Sequence, residues 1–125
     1  KLAEYMNSNN DPVPLARASE AAAIAVLKNM KKIIKRVKML KNWTISLSKS
    51  LENLGIKVFP THTYFFLAKV PINSDIFAEE LKKRNIIVRP AKQKGLGKKF
   101  IKFTTSTPKN NKIVIKVIKE LLEKL

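Results

Sequence analysis

The feature that most constrains this chain is a change of hydrophobic period at Gly55. From Met30 the apolar residues Ile33, Val37, Leu40, Leu47, Leu51 and Leu54 recur at intervals of three, four or seven, which lays them on one face of a long helix. Gly55 stands where a C-cap glycine would end it. Beyond that point, Ile56 to Phe59 and Tyr64 to Val70 are rich in β-branched and aromatic residues around Pro60 and a threonine-rich turn. They read as two strands that could pair antiparallel.

The remaining elements follow from caps and breakers. Asn73 or Ser74 caps a helix whose acidic residues Asp75, Glu79 and Glu80 precede its basic residues Lys82, Lys83 and Arg84, as the helix dipole favours. Ile76, Phe77 and Leu81 form its expected buried stripe, and Asn85 closes it. A third strand runs from Ile86 to Arg89 and is stopped by Pro90; residues 91–99 form a Gly-Lys loop, and Phe100 to Thr105 is a fourth strand. Thr107 caps the last helix with Pro108 at its first position. Ile113, Val117, Leu121 and Leu125, flanked by Val114, Ile118 and Leu122, give that helix a wide apolar face.

The order is long helix, β, β, α, β, β, α. It predicts an α+β fold: a small antiparallel or mixed four-stranded sheet with helices packed on one face. Upstream, the short amphipathic start LAEYM, the polar run NSNND and the segment PVPLA read as a connecting arm over residues 1–18. Ser19 is placed to cap the run EAAAIAVL, so residues 19–125 are the expected domain. The chain opens on Lys1 and runs straight into sequence that looks folded, which suggests a cut at its amino end.

Charge raises a competing reading. With 26 Lys and Arg against 9 Asp and Glu, the formal net charge is +17, a prior for polyanionic partners. Lys28, Lys31, Lys32, Lys35, Lys38 and Lys41 decorate the long helix, so a lysine-rich module for nucleic acid or an anionic membrane is the alternative. The excess is lysine, however, with arginine only at Arg17, Arg36, Arg84 and Arg89, and groove-reading proteins lean on arginine's planar fork. A solvated helix face accounts for the lysines. The longest apolar stretch, Ala21 to Leu27, is far short of a membrane span.

No self-contained catalytic constellation emerges. Without cysteine and with His62 as the single histidine, a zinc site or a Cys-His pair is excluded, and His62 reads as a turn residue. The loop KQKGLGKK lacks the Ser or Thr and the spacing of a phosphate loop, and it leads into a strand. The alternation of the strands is more informative. Phe100, Lys102 and Thr104 share one face, Ile101 and Phe103 the other, and Arg89 points with Ile87. Two cations thus stand in otherwise apolar or neutral strands. Spacing alone leaves ordinary surface placement and anion binding open.

The ordered series PVPLARASEAAAIAVL, LENLGIKVFP, THTYFFL, NIIVRP and FIKFTTSTPKNN closely resembles the carboxy-terminal part of histidinol-phosphate aminotransferases, fold-type I pyridoxal-phosphate enzymes. NIIVRP resembles that family's Gly-Ile-Ile-Val-Arg strand. The strand into TTSTPKNN resembles its Leu-Arg-Ile strand leading to Gly-Thr-Pro-Glu-Glu. The resemblance implies a small domain that closes over the active site, a homodimeric cytoplasmic parent enzyme of histidine biosynthesis, and substrate-binding roles for Arg89, Lys102 and Tyr64. Tyr64 stands where the family typically has asparagine, Lys102 replaces its arginine, and Ser106 replaces its glycine before Thr-Pro. The Ser-Lys segment that carries the Schiff-base lysine is absent. The expectation is a fragment that holds no cofactor or metal itself, needs a large cofactor-binding domain as its missing or separate partner, and is inactive alone.

Overall fold

The computed structural model describes residues 1–8, 16–93 and 95–125 of the chain. The proline-bearing part of the expected arm, at 9–15, and Lys94 of the Gly-Lys loop lie outside the described residues. The chain divides into two compact units, Lys1–Lys35 and Arg36–Leu125.

In the first unit, α1 covers Leu2–Ser8 and α2 covers Arg17–Lys28. Ser19 does not cap α2. Ala16, in extended conformation, takes that place, and its carbonyl accepts the amides of Ser19 at 2.8 Å and Glu20 at 3.1 Å. Arg17 and Ala18 are good helix formers, so the helix begins ahead of the serine. The long helix expected from Met30 is α3, which runs from Met30 to Glu52, and α2 ends just before it at Asn29. The Asn29 side chain donates to the Ala25 carbonyl at 2.9 Å, a local bond that competes with regular helix continuation.

In the second unit, strands β1 (Lys57–Val58), β2 (Phe65–Lys69), β3 (Arg89–Pro90) and β4 (Phe100–Thr104) form one sheet in the order β1-β2-β4-β3, with every neighbouring pair antiparallel. Helix α4 (Ser74–Lys82) connects β2 to β3, and α5 (Pro108–Leu122) follows β4. Phe66 and Ala68 of β2 and Ile101 and Phe103 of β4 turn one face of the sheet into the core. There they meet Leu47 and Leu51 of α3, Phe77 and Leu81 of α4, and Ile118 and Leu121 of α5. The rings of Phe66 and Phe103 stack at 5.8 Å across the central strand pair. Each large side chain withdrawn from water here contributes roughly 1.5–3 kcal/mol of gross stabilisation.

Two helices end in the same device. Gly55, at φ +80°, donates to Glu52 while Ile56 donates to Leu51; Asn85, at φ +60°, donates to Lys82 while Ile86 donates to Leu81. These are Schellman closures, each with a buried contact between the residue after the turn and the last helical turn. The N-caps are those expected: Asn73 accepts from Asp75 at 2.8 Å, and Thr107 accepts from Asn110 at 3.4 Å ahead of Pro108.

Packing corrects several burial assignments. Ile76 is 58% exposed, because the face defined by Ser74, Phe77 and Leu81 already fills the contact with the sheet and a neighbouring position turns about a quarter of the way around the helix. Val37, Ile113 and Leu125 are exposed as well, and Leu54 lies past the end of α3. Ile118 and Leu121 of the expected α5 face are buried, and Asn111 joins them, accepting from the Ser106 amide at 3.0 Å. Ile86 to Val88 is not strand. The Ile86 amide is used to close α4, so the ladder starts only at Arg89, and Pro90 belongs to it rather than stopping it. An edge strand tolerates the missing donor, and Ala91 resumes bonding to Phe100 at 2.8 Å.

Helix α4 also carries a carboxylate bonded to two cations just past its end. The Glu80 carboxyl is held below its usual range, first by the hydrogen bond from Lys83 and then by that from Arg84, whose Nη1 donates at 3.1 Å. A carboxylate depressed in the fold stabilises it fully above the unfolded value of about 4.3 and loses that contribution as pH falls through the lower folded value. The melting temperatures of wild type and Glu80→Gln are therefore expected to differ at neutral pH and to converge on acidification below about pH 4. A gap that stays constant from pH 7 to pH 2 would contradict this origin.

Candidate functional site

One sheet face holds the core; the other carries a different set of side chains. Register fixes which ones stand together. Arg89 of β3 pairs with Lys102 of β4, and Lys102 pairs on its other side with Leu67 of β2. Phe59 extends the row by donating its amide to the Leu67 carbonyl at 2.9 Å. The row reads Arg89, Lys102, Leu67, Phe59, with Phe65 and Thr104 opposed in the next row.

The Lys102 ammonium lies over the Phe65 ring, 3.7 Å from its centroid. Around these residues is a hollow of about 520 Å³, lined by Phe65, Leu67, Arg89 and Lys102 from the sheet and by Pro60, Thr61, Pro90 and Ala91 to Gln93 from the adjoining loops. The turn at its edge is pinned by Thr61 and Thr63, whose hydroxyls both donate to the Phe65 carbonyl at 2.8 Å. Among the described residues neither Arg89 nor Lys102 has a carboxylate partner, whereas Lys92 is tied to Asp75 at 2.9 Å. Two unneutralised cations side by side on an apolar floor are poised for charge-assisted hydrogen bonds to an anion.

The sequence set Lys102 opposite Ile101 and Phe103 but did not relate it to Arg89; the register makes the two cations direct ladder partners. Tyr64 does not join them. It lies one residue before β2 and outside the lining of the hollow, is 54% exposed, and its carbonyl accepts from the Thr105 amide at 2.8 Å. Its ring meets that of Phe65 edge-on at 5.5 Å. His62 lies in the turn, exposed. The apolar half of the hollow, Phe65 and Leu67, was not singled out from the sequence. Alternation along β2 carried that signal, but only the register against β4 brings it beside the cations.

A pyridoxal cofactor needs a lysine for its aldehyde and a partner for its ring nitrogen in addition to phosphate donors. The lining offers the free cations Arg89 and Lys102, the Asp75-paired Lys92 and largely apolar walls, with no carboxylate for a ring nitrogen. It fits an anionic group rather than the whole cofactor. Among the described residues there is no cluster of three or more metal-ligating side chains, and no helix is long and apolar enough to cross a membrane.

An antiparallel four-stranded sheet with its helices on one side and two adjacent cations on the other defines a small α+β domain with a cationic open face. The family model for aminotransferase class I and II matches residues 1–118, and the chain belongs to that family. Among curated relatives, histidinol-phosphate aminotransferase 1 of Trichormus variabilis is 32% identical over 110 residues, covering 86% of this chain and 30% of that protein. The histidinol-phosphate aminotransferase of Caldanaerobacter subterraneus is 32% identical over 125 residues, covering 98% of this chain and 34% of its own length. The chain therefore spans about a third of these relatives. The crystal structure of the histidinol-phosphate aminotransferase from Clostridium acetobutylicum shares the fold, with TM-score 0.85 and 24% identity over 99% of this chain and 38% of that one. An L-threonine-O-3-phosphate decarboxylase from Porphyromonas gingivalis aligns with TM-score 0.66 and 27% identity over 69% of this chain and 28% of its own.

Proposed function

We propose that residues 19–125 act as the small domain of a cytoplasmic, pyridoxal-phosphate-dependent aminotransferase of the histidinol-phosphate type. In this reading Arg89 and Lys102 bind the anionic end of an amino-acid or amino-alcohol phosphate substrate. The observation that carries the reading is the Arg89–Lys102 ladder pair facing an apolar hollow with no carboxylate to neutralise it. Family membership supplies the reaction class.

The cofactor, when held by a large domain, supplies the electron sink of transamination. This chain's share is to bind and orient. Arg89 offers a planar fork that fixes the direction of a carboxylate or phosphate, while Lys102 adds a point charge beside it. Pro60, Phe65 and Leu67 shelter the bound group from water, which strengthens both contacts. Tyr64, implied by resemblance alone, would act from the rim through its ring contact with Phe65. Alone, the chain is proposed to be inactive, because turnover needs the Schiff-base lysine of a large-domain partner.

Two measurements on the purified chain test this. Inorganic phosphate titrated against it should shift the amide resonances of β3 and β4 in a saturable way, and shifts scattered over the lysines of α2 and α3 would refute the site. With pyridoxal phosphate and glutamate, the cofactor absorbance should show no turnover to the amine form. Turnover would refute the inactive reading.

A further inference from the structure

Two like charges placed directly opposite each other on neighbouring strands repel. Arg89 and Lys102 stand in that relation at the edge of the sheet, yet no carboxylate among the described residues separates them. The geometry shows what does hold the lysine. Lys102 lies on β4, between β3 with Arg89 and β2 with Phe65, and its ammonium sits over the Phe65 ring at 3.7 Å from the centroid, on the side away from Arg89. A four-carbon stem with a point charge at its end has no preferred direction of its own. The ring face supplies one, because its negative quadrupole attracts the cation without neutralising it, as a carboxylate would.

Phe65 is itself well held for this task. Its backbone is paired with Thr104, its carbonyl accepts from the hydroxyls of Thr61 and Thr63 at 2.8 Å each, and the Tyr64 ring stands edge-on to its own. Its side chain is half-buried on the open face rather than part of the core. We infer that Phe65 is a positioning residue: its ring holds the Lys102 ammonium directed into the hollow, so that the lysine serves as a second fixed anion contact beside Arg89. This rests on the proposed anion site and adds to it the residue that makes a lysine usable there.

The test uses the whole chain and three variants, Phe65→Leu, Phe65→Tyr and Lys102→Met, with inorganic phosphate as the probe. In the wild type the Lys102 ε-methylene protons should be shifted upfield by the ring current, in Phe65→Leu they should return to the ordinary lysine position, and in Phe65→Tyr they should remain upfield. Phosphate affinity should fall about five-fold in Phe65→Leu, consistent with loss of an exposed to partly buried cation–π contact. It should recover in Phe65→Tyr, and Phe65→Leu should add nothing in the Lys102→Met background. Far-ultraviolet circular dichroism should be unchanged throughout, since leucine keeps an apolar, strand-compatible side chain on the open face. An unshifted Lys102 signal in the wild type, or an equal loss of affinity on adding Phe65→Leu to Lys102→Met, would overturn the positioning role while leaving the anion site standing. Absence of phosphate binding to the wild type with an upfield Lys102 signal would instead overturn the anion site and leave the ring contact as structure only.

Discussion

Phe77→Ala is expected to cost about 3–5 kcal/mol, enough to leave much of the Arg36–Leu125 unit unfolded at physiological temperature. Phe77 is completely buried on α4, within the cluster formed by the sheet, α3 and α5. Alanine removes the ring's transfer free energy and leaves a cavity that a tightly packed layer cannot close. A unit of this size has a total stability of roughly 5–10 kcal/mol, so the loss consumes a large part of it. Urea unfolding followed by circular dichroism measures it. Ile76→Ala, one residue earlier and mostly exposed, should change stability by no more than about 0.5 kcal/mol. Comparable losses at the two positions would mean that α4 is rotated from the orientation described.

Arg89→Ala is expected to weaken phosphate binding by about 10-fold to 100-fold, the range for removing hydrogen bonds to a charged group. Among the described residues that line the hollow, the arginine alone has a planar fork, and it is exposed on the edge strand β3. Arg89→Lys keeps the charge and should recover only part of the loss, because a point charge fixes distance but not direction. Titration by amide shifts reads the affinity, and thermal unfolding should be nearly unchanged because Arg89 is exposed. If alanine and wild type bind phosphate equally, the open face is not the anion site and the lysines elsewhere must account for any binding.

The recognisable parts of the fold are those fixed by local chemistry. Asn73, Thr107 with Pro108, Gly55 and Asn85 mark helix ends through bonds made within a few residues, and each acts in the structure as its type requires. Alternation along β4 likewise separated Lys102 from Ile101 and Phe103 without knowledge of any partner. Where local signals compete, the reading slipped. Ser19 is a good cap in isolation, but a helix that already begins at Arg17 has no use for it. Ile86 to Val88 looks like strand by composition, but the Schellman closure at Asn85 uses the first amide.

Sequence by itself determined most element types, the α+β class, the charge excess and the side of β4 on which Lys102 lies, because these depend on side-chain period and on bonds between near neighbours. The ordered motifs also pointed to the aminotransferase family that the match over residues 1–118 establishes. Only the tertiary structure decided the strand order, the ladder pairing of Arg89 with Lys102, the placement of Lys102 over Phe65 and the exclusion of Tyr64 from that row. Those features join residues from four strands far apart in the chain. Register against a distant partner, which no local period encodes, sets which of them meet.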